Sequence, residues 1–279
     1  NSQGEYYITD VIEIMLSEGE KVGAYVTDLE QTMGVNDKLQ LSQVGKILNR
    51  RKVEALMLAG VTIIDPDKVQ VTTNVKVGRD TVLYPGTVLE GDTVIGENCV
   101  IGSNTSLNNC KVGNNTKILE TVGIDSEIGS DTNVGPFAYL RPGTKVGSEV
   151  KIGDFVEIKN STIGEYTAVA HLTYIGDSDV GSNVNFGCGV VTVNYNGDKK
   201  FRTVIEDNAF IGCNTNLVAP VRVGKGAYTA AGSTITTDIP DNALAIERGR
   251  ETIKEGYAEK KLKARTEKFE AIHGKSEEK

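Results

Sequence analysis

Between about residues 68 and 237, aliphatic side chains stand on every sixth position: Val77, Leu83, Leu89, Ile95, Ile101 and Leu107. After some slips the beat returns as Ile205, Ile211, Leu217 and Val223. A period of six fits neither a helix at 3.6 nor the two-residue alternation of a long plain strand. It predicts a parallel β-solenoid of hexapeptide repeats, each repeat a short strand and a tight turn. The periodic aliphatic points inward and stacks on its copies in the coils above and below. Gly, Asn and Asp fill the turns because they tolerate positive φ. One coil cannot bury its own face, so stability has to come from stacked neighbours.

The flanks read differently. Residues 1–66 mix helical and short-strand signals. Within them, residues 38–60 place Leu41, Val44, Ile47, Leu48 and Leu56 at helical spacing. Asn36 and Asp37 are candidate caps for its start and Gly60 for its end, which predicts one amphipathic helix. Residues 67–240 form the solenoid. Residues 241–279 predict an ordered arm to about Tyr257, then a charged helical or frayed tail with His273 as a solvated side chain.

Composition narrows the function. The net charge of -8 argues against a nucleic-acid partner, which needs a basic surface. Any phosphate site must then come from a few local Lys and Arg residues. Cys99, Cys110, Cys188 and Cys213 make no metal spacing and predict free, buried thiols in a reducing, cytoplasmic compartment. No apolar run approaches the ~20 residues that span a membrane, so no membrane partner is expected. The chain begins at Asn1 without Met, inside a structured-looking segment, and reads as a fragment.

Chemistry is expected where the repeat breaks, because the repeat alone accounts for the regular positions. The largest break is NYNGDKKFRT, residues 194–203, with Lys199, Lys200 and Arg202. It reads either as an exposed surface loop or as an anion clamp. Shorter slips surround residues 158–180. The register turns Ile158 inward and leaves Glu157 and Lys159 facing out. His171 falls off the inward beat set by Val169 and Ile175. An outward imidazole is a poor core residue and a general-base candidate.

Six stretches together resemble one enzyme family: RPGTKVG (141–147), DFVEIKNSTIG (154–164), HLTYIGD (171–177), NVNFGCG (183–189), VNYNGDKKFRT (193–203) and IPDNALAIERGR (239–250). The family is the bacterial bifunctional N-acetylglucosamine-1-phosphate uridyltransferases/glucosamine-1-phosphate acetyltransferases, within the left-handed β-helix acyltransferases. QGEYYITD (3–10) and GVNDKLQL (34–41) resemble the end of the uridyltransferase domain. The fold so implied is a mainly β, left-handed parallel β-helix with a small α/β N-terminal remnant, a linker helix and a C-terminal arm. The activity implied is acetyl transfer from acetyl-CoA to the 2-amino group of glucosamine 1-phosphate, on the path to UDP-N-acetylglucosamine, by a homotrimer.

The resemblance also implies roles. His171 matches the catalytic base and Glu157 a nearby acid that fixes the imidazole tautomer. Arg141 and Lys159 match sugar-phosphate ligands, Tyr174 and Asn185 sugar contacts, and Lys200 a basic residue of the active-site loop. Asn194 and Tyr195 match acetyl-CoA contacts. Cys188, Cys213 and Ala231 match the lining of the CoA channel, and Arg248 a cation for the CoA phosphates. Asn36 matches an asparagine that helps bind Mg2+ in the uridyltransferase half.

The chain departs from the family pattern in places. Ala170 stands where Gly usually precedes the histidine, Cys188 and Cys213 stand where Ala and Ser are usual, and Glu206 replaces a common Gly. The Gly-rich nucleotide loop and metal-binding Asp of the uridyltransferase are not in this sequence, so uridyl transfer is not expected of it. The alternatives are another hexapeptide acyltransferase with a different acceptor, and a non-catalytic spacer. A metal-dependent hexapeptide enzyme of the γ-carbonic-anhydrase type needs three histidines, and this chain has two.

Overall fold

A computed structural model describes residues 4 and 7–274, without the side chains of Leu29 and His273. The expected solvation of His273 and residues 3, 5 and 6 of the motif at 3–10 therefore lie outside the described residues. The chain divides into two compact units, residues 1–137 and 138–279.

The first unit opens with helix α1 (Asp10–Ser17) and a 3-10 turn at Leu29–Gln31, followed by α2 (Lys38–Leu58). Asp37 caps α2 by accepting the Gln40 N–H at 2.7 Å, and the Gln40 side chain accepts the Asn36 N–H at 2.6 Å. This reciprocal pair satisfies two N–H groups at the helix start. Gly60, at φ +99°, takes the chain out of the helix. The expected apolar stripe is mostly uncovered. Leu41 and Leu48 are exposed, Val44 and Ile47 half-buried, and only Val53 and Leu56 buried. The reason is that α2 meets the first coil along its last turns and largely through polar contacts. Asn49 donates to Val69 O at 2.9 Å and accepts from Val71 N at 2.8 Å, while Lys52 donates to Thr73 O at 2.9 Å.

The rest of this unit is a parallel β-helix of hexapeptide coils with three sheets. One runs through Thr62–Ile63, Val82–Leu83, Val100–Ile101, Lys117–Ile118 and Asn133–Val134. Paired positions place like on like, Leu83 on Ile101 and Ile101 on Ile118. Leu83, Leu89, Ile101, Leu107 and Ile118 are fully buried. Each such side chain contributes roughly 1.5–3 kcal/mol of transfer free energy. Val77, on the same beat, is only half-buried because it belongs to the first strand of its sheet and has a neighbour on one side alone.

A second periodicity lies inside the first. Thr81, Thr87, Thr93, Thr105, Thr116, Thr121 and Thr132 are buried two residues before the aliphatic positions or close to that spacing. The hydroxyls of Thr81, Thr87, Thr93 and Thr116 bond backbone groups of the next coil, as when Thr81 Oγ1 donates to Gly96 O at 2.9 Å and accepts from Cys99 N at 3.0 Å. Cys99 and Cys110 occupy the same inner position. Burial pushes both thiols up, which keeps them protonated and inert.

The second unit repeats the three-sided plan. One sheet runs through Lys151–Asp154, Ala168–His171, Asn185–Phe186, Phe210–Ile211, Tyr228–Thr229 and Leu244–Ala245. A second begins with Tyr139–Leu140, Glu157–Lys159, Tyr174–Gly176 and Val191–Val193. The beat at Ile205, Ile211, Leu217 and Val223 is buried throughout. Glu206, the unusual turn residue, is held by Arg222 at 3.0 Å, and Arg222 also reaches Asp241 at 3.1 Å. The arm ends in α3 (Tyr257–His273). The expectation of four buried thiols fails here: Cys188 is half-buried and Cys213 exposed, because both stand on turns instead of strands. No helix among the described residues is long and apolar enough to cross a membrane.

Candidate active site

His171 ends the strand Ala168–His171, and the register places it beside Asp154 of the preceding coil. Its Nδ1 lies 2.7 Å from Asp154 Oδ1. A carboxylate is an acceptor only, so Nδ1 carries the proton and Nε2 presents a lone pair to solvent. His171 is 57% exposed. The backbone is pinned on both sides: Leu172 N donates to Asp154 O at 3.0 Å and Thr173 Oγ1 to His171 O at 2.8 Å. The hydrogen bond from His171 holds the Asp154 carboxyl below the usual carboxylate range. Gly153 makes the approach possible, since a Cβ there would stand 1.8 Å from Ala170 O.

This corrects one expectation. Glu157 does not reach the imidazole; it accepts from Arg141 Nη1 at 2.7 Å. The carboxylate in its place is Asp154, which the sequence reading passed over. The signal was available: Asp154 and His171 are 17 residues apart, the same step that separates Glu157 from its register partner Tyr174.

The adjacent sheet gathers cations. Leu140 pairs with Ile158, which brings Arg141 alongside Lys159. Arg141 lies over the Tyr139 ring at 5.8 Å. Lys159 is largely covered and sits 3.7 Å from Asp177 Oδ2. The Lys200 amine against it, and then burial, push the Lys159 ammonium below its ordinary range, and Asp177 only partly offsets them. Two crowded ammonium groups beside a guanidinium form a site that an anion relieves.

Asp177 is a second residue that sequence reasoning missed. It is 6% exposed and anchors the loop base, taking hydrogen bonds from Asn160 Nδ2 at 2.6 Å and from Asn194 Nδ2. Burial alone raises its carboxyl, but the two amides and the charges of Lys159 and Lys200 outweigh that and hold it low.

The loop itself resolves into parts with different tasks. Tyr195 and Lys200 close an antiparallel bridge, and Tyr195 Oη donates to Gly197 O at 2.6 Å. Arg202 is tied down. Its Nε donates to Asp179 at 2.8 Å and its Nη atoms to Ser178 O and Asn160 O at 3.1 and 3.3 Å. Of the three cations read as one clamp, Lys200 joins Lys159, whereas Arg202 fastens the loop to the solenoid. Lys199 is exposed, with its backbone N–H on Asn196 Oδ1.

The register lines up a column of turn positions. Val169 pairs with Phe186 and Phe186 with Ile211, so His171, Cys188 and Cys213 follow one another in successive coils. Ala231 continues the column, with Gly232 N on Cys213 O at 2.8 Å, and Arg248 Nη1 donates to Ala231 O at 3.3 Å. Asn185 is not gathered with the cations. It lies on the other sheet between Ala168 and Phe210, exposed. Asn36 belongs to the first unit at the start of α2. Among the described residues no group of three or more His, Cys, Asp or Glu side chains is placed to hold a metal ion.

The imidazole–carboxylate pair, the cation group and the looped-out segment thus lie on neighbouring faces of the second unit's β-helix. The family model for bacterial transferase hexapeptide repeats matches residues 74–109, 125–160 and 202–237. The chain is similar to proteins named bifunctional protein GlmU. The one from Acetivibrio thermocellus is 54% identical over 96% of this chain, and that from Halalkalibacterium halodurans 53% over 94%. In both cases the chain spans 58% of the relative's length. A solved Francisella novicida UDP-N-acetylglucosamine acyltransferase aligns over 73% of each chain with 19% identity and a TM-score of 0.45.

Proposed function

We propose that this chain is an acetyltransferase that moves the acetyl group of acetyl-CoA to the 2-amino group of glucosamine 1-phosphate. The observation that carries the reading is His171, with Nδ1 on Asp154 and Nε2 open to solvent. The names of the GlmU relatives and the match of the sugar-phosphate and loop motifs support the choice of substrates.

The acceptor amine is an ammonium in water and cannot attack a thioester. The ammonium first gives one proton to solvent; His171 Nε2 then takes a second from the nitrogen as it adds to the acetyl carbon, and Asp154 steadies the imidazolium so formed. The tetrahedral adduct collapses, the C–S bond breaks, and the imidazolium returns its proton to the departing thiolate. The amide and free CoA thiol result. Base catalysis of this kind contributes roughly 10²–10⁴-fold. Arg141, Lys159 and Lys200 receive the phosphate, the guanidinium by two parallel bonds and the amines as point charges. Tyr174 and Asn185 hold the sugar, while Asn194, Tyr195, Cys188, Cys213, Ala231 and Arg248 meet acetyl-CoA. In this reading a homotrimer brings Asn185 to a neighbour's cation group, since one chain keeps them on different sheets.

An acceptor panel tests the proposal. Thiol release from acetyl-CoA should depend on glucosamine 1-phosphate, and should be weak with glucosamine, which lacks the phosphate. Equal rates with serine or another amino sugar would favour a hexapeptide acyltransferase of different specificity.

A further inference from the structure

Two thiols stand in register at the corner that carries His171. Phe186 pairs with Ile211, and Asn214 N donates to Cys188 O at 2.8 Å, so the pairing runs on through the turn and sets Cys213 directly beside Cys188. Neighbouring parallel strands lie about 4.7–4.9 Å apart, inside the Cα separation of about 4.4–6.8 Å that a disulfide bridges. The Cys213 sulfur leans toward the coil that holds Cys188: it lies 2.9 Å from where a Cβ on Gly187 would stand. Gly187 leaves that space open. Both thiols are reachable, Cys213 exposed and Cys188 half-buried, whereas Cys99 and Cys110 are fully buried.

We propose that Cys188 and Cys213 form an oxidative modification site, a dithiol that reacts with low-molecular-weight disulfides and closes to an intrachain disulfide. The exposed Cys213 thiolate attacks one sulfur of the small disulfide and expels the first thiolate. The Cys188 thiolate then attacks the Cys213 sulfur and expels the second. Two protein thiols are oxidised, one small disulfide is reduced to two thiols, and the protein protons pass to the leaving thiolates. Resting on the function proposed above, the bond closes two successive coils next to His171, where the thioester of acetyl-CoA has to lie, and lowers acetyl transfer. The sulfur of the product CoA is itself a thiol, so the oxidised form of that carrier belongs to the class this pair would meet.

The test exposes the full chain, folded and at pH 8, to oxidised glutathione, then alkylates remaining thiols in denaturant and maps peptides by mass. The account predicts a Cys188–Cys213 linked peptide two hydrogens lighter than its parts, with Cys99 and Cys110 alkylated. Acetyl transfer should fall at least tenfold with formation of the link and return with dithiothreitol. Cys213→Ser should show no link, and its rate, whatever its level, should no longer respond to the oxidant. Glutathione retained on both cysteines, or links only between chains, would overturn the proposal. The linked peptide is read by mass alone. Failure of the reduced protein to acetylate anything would thus count against the function proposed above, leaving the thiol pair to be judged on its own.

Discussion

Asp154→Asn is the substitution that separates this account from the one the sequence first suggested. The variant keeps shape and removes charge. Its Nδ2 can only donate, and its Oδ1 is a weaker acceptor for Nδ1–H, so the ring loses the group that fixes its tautomer. A hydrogen bond to a charged partner contributes roughly 1.5–3 kcal/mol. Here the two side chains are 57% and 38% exposed, and water screens the pair. We therefore expect a modest effect, roughly a 5- to 30-fold loss of kcat. Steady-state thiol release with both substrates varied reads it directly, and KM for acetyl-CoA should stay within about twofold. Gly153→Ala is the companion change. Its Cβ would meet Ala170 O, move the strand that carries Asp154 and reproduce the loss without touching either charge. Wild-type kcat in Asp154→Asn, with a large loss in Glu157→Gln, would refute the reasoning and return the orienting role to Glu157.

Other consequences follow from the same geometry. Lys200→Ala should raise KM for glucosamine 1-phosphate roughly tenfold and leave KM for acetyl-CoA less affected, because Lys200 lies against Lys159; inhibition by inorganic phosphate should weaken in parallel. Arg202→Ala should loosen the loop base, seen as faster proteolysis or amide exchange at residues 194–203, since Arg202 bonds Asp179, Ser178 and Asn160. Asp177→Ala should cost roughly 2–4 kcal/mol in denaturant unfolding at neutral pH by stranding Lys159 and two amides. The sign of its pH dependence is fixed. Folding lowers the Asp177 pKa from 3.8, so its contribution is present in full above that value and is lost as pH falls through the lower folded value. Wild type and variant should begin to converge in stability as pH falls below 3.8, and finish only below the lower folded value.

The solenoid was legible because its signal is repeated. A six-residue beat at Leu83, Leu89, Ile95 and Ile101 cannot arise in a helix, and inward stacking is the only way to bury it. The threonine ladder was equally regular but went unread, since Thr reads as a turn or surface residue until the hydroxyl is seen bonding the next coil. The helix α2 showed its caps but not its exposure: helical spacing states which face is apolar, not how much of it another element covers. At the site, His171 could be found because it breaks the inward pattern. Asp154 could not be found by local reading, since its partner lies a coil away and only the 17-residue step joins them. Arg202 misled for the reverse reason. Its charge is visible in the sequence, whereas the Asp179 that consumes it lies 23 residues earlier.

The central claim is that His171 removes the proton from a glucosamine 1-phosphate amine during acetyl transfer. The direct measurement is release of CoA thiol from acetyl-CoA, with and without glucosamine 1-phosphate, for this chain and for His171→Ala. The account predicts acceptor-dependent release that falls by roughly 10²–10⁴-fold in the variant. Equal release by both proteins, or none from the parent chain, would contradict it.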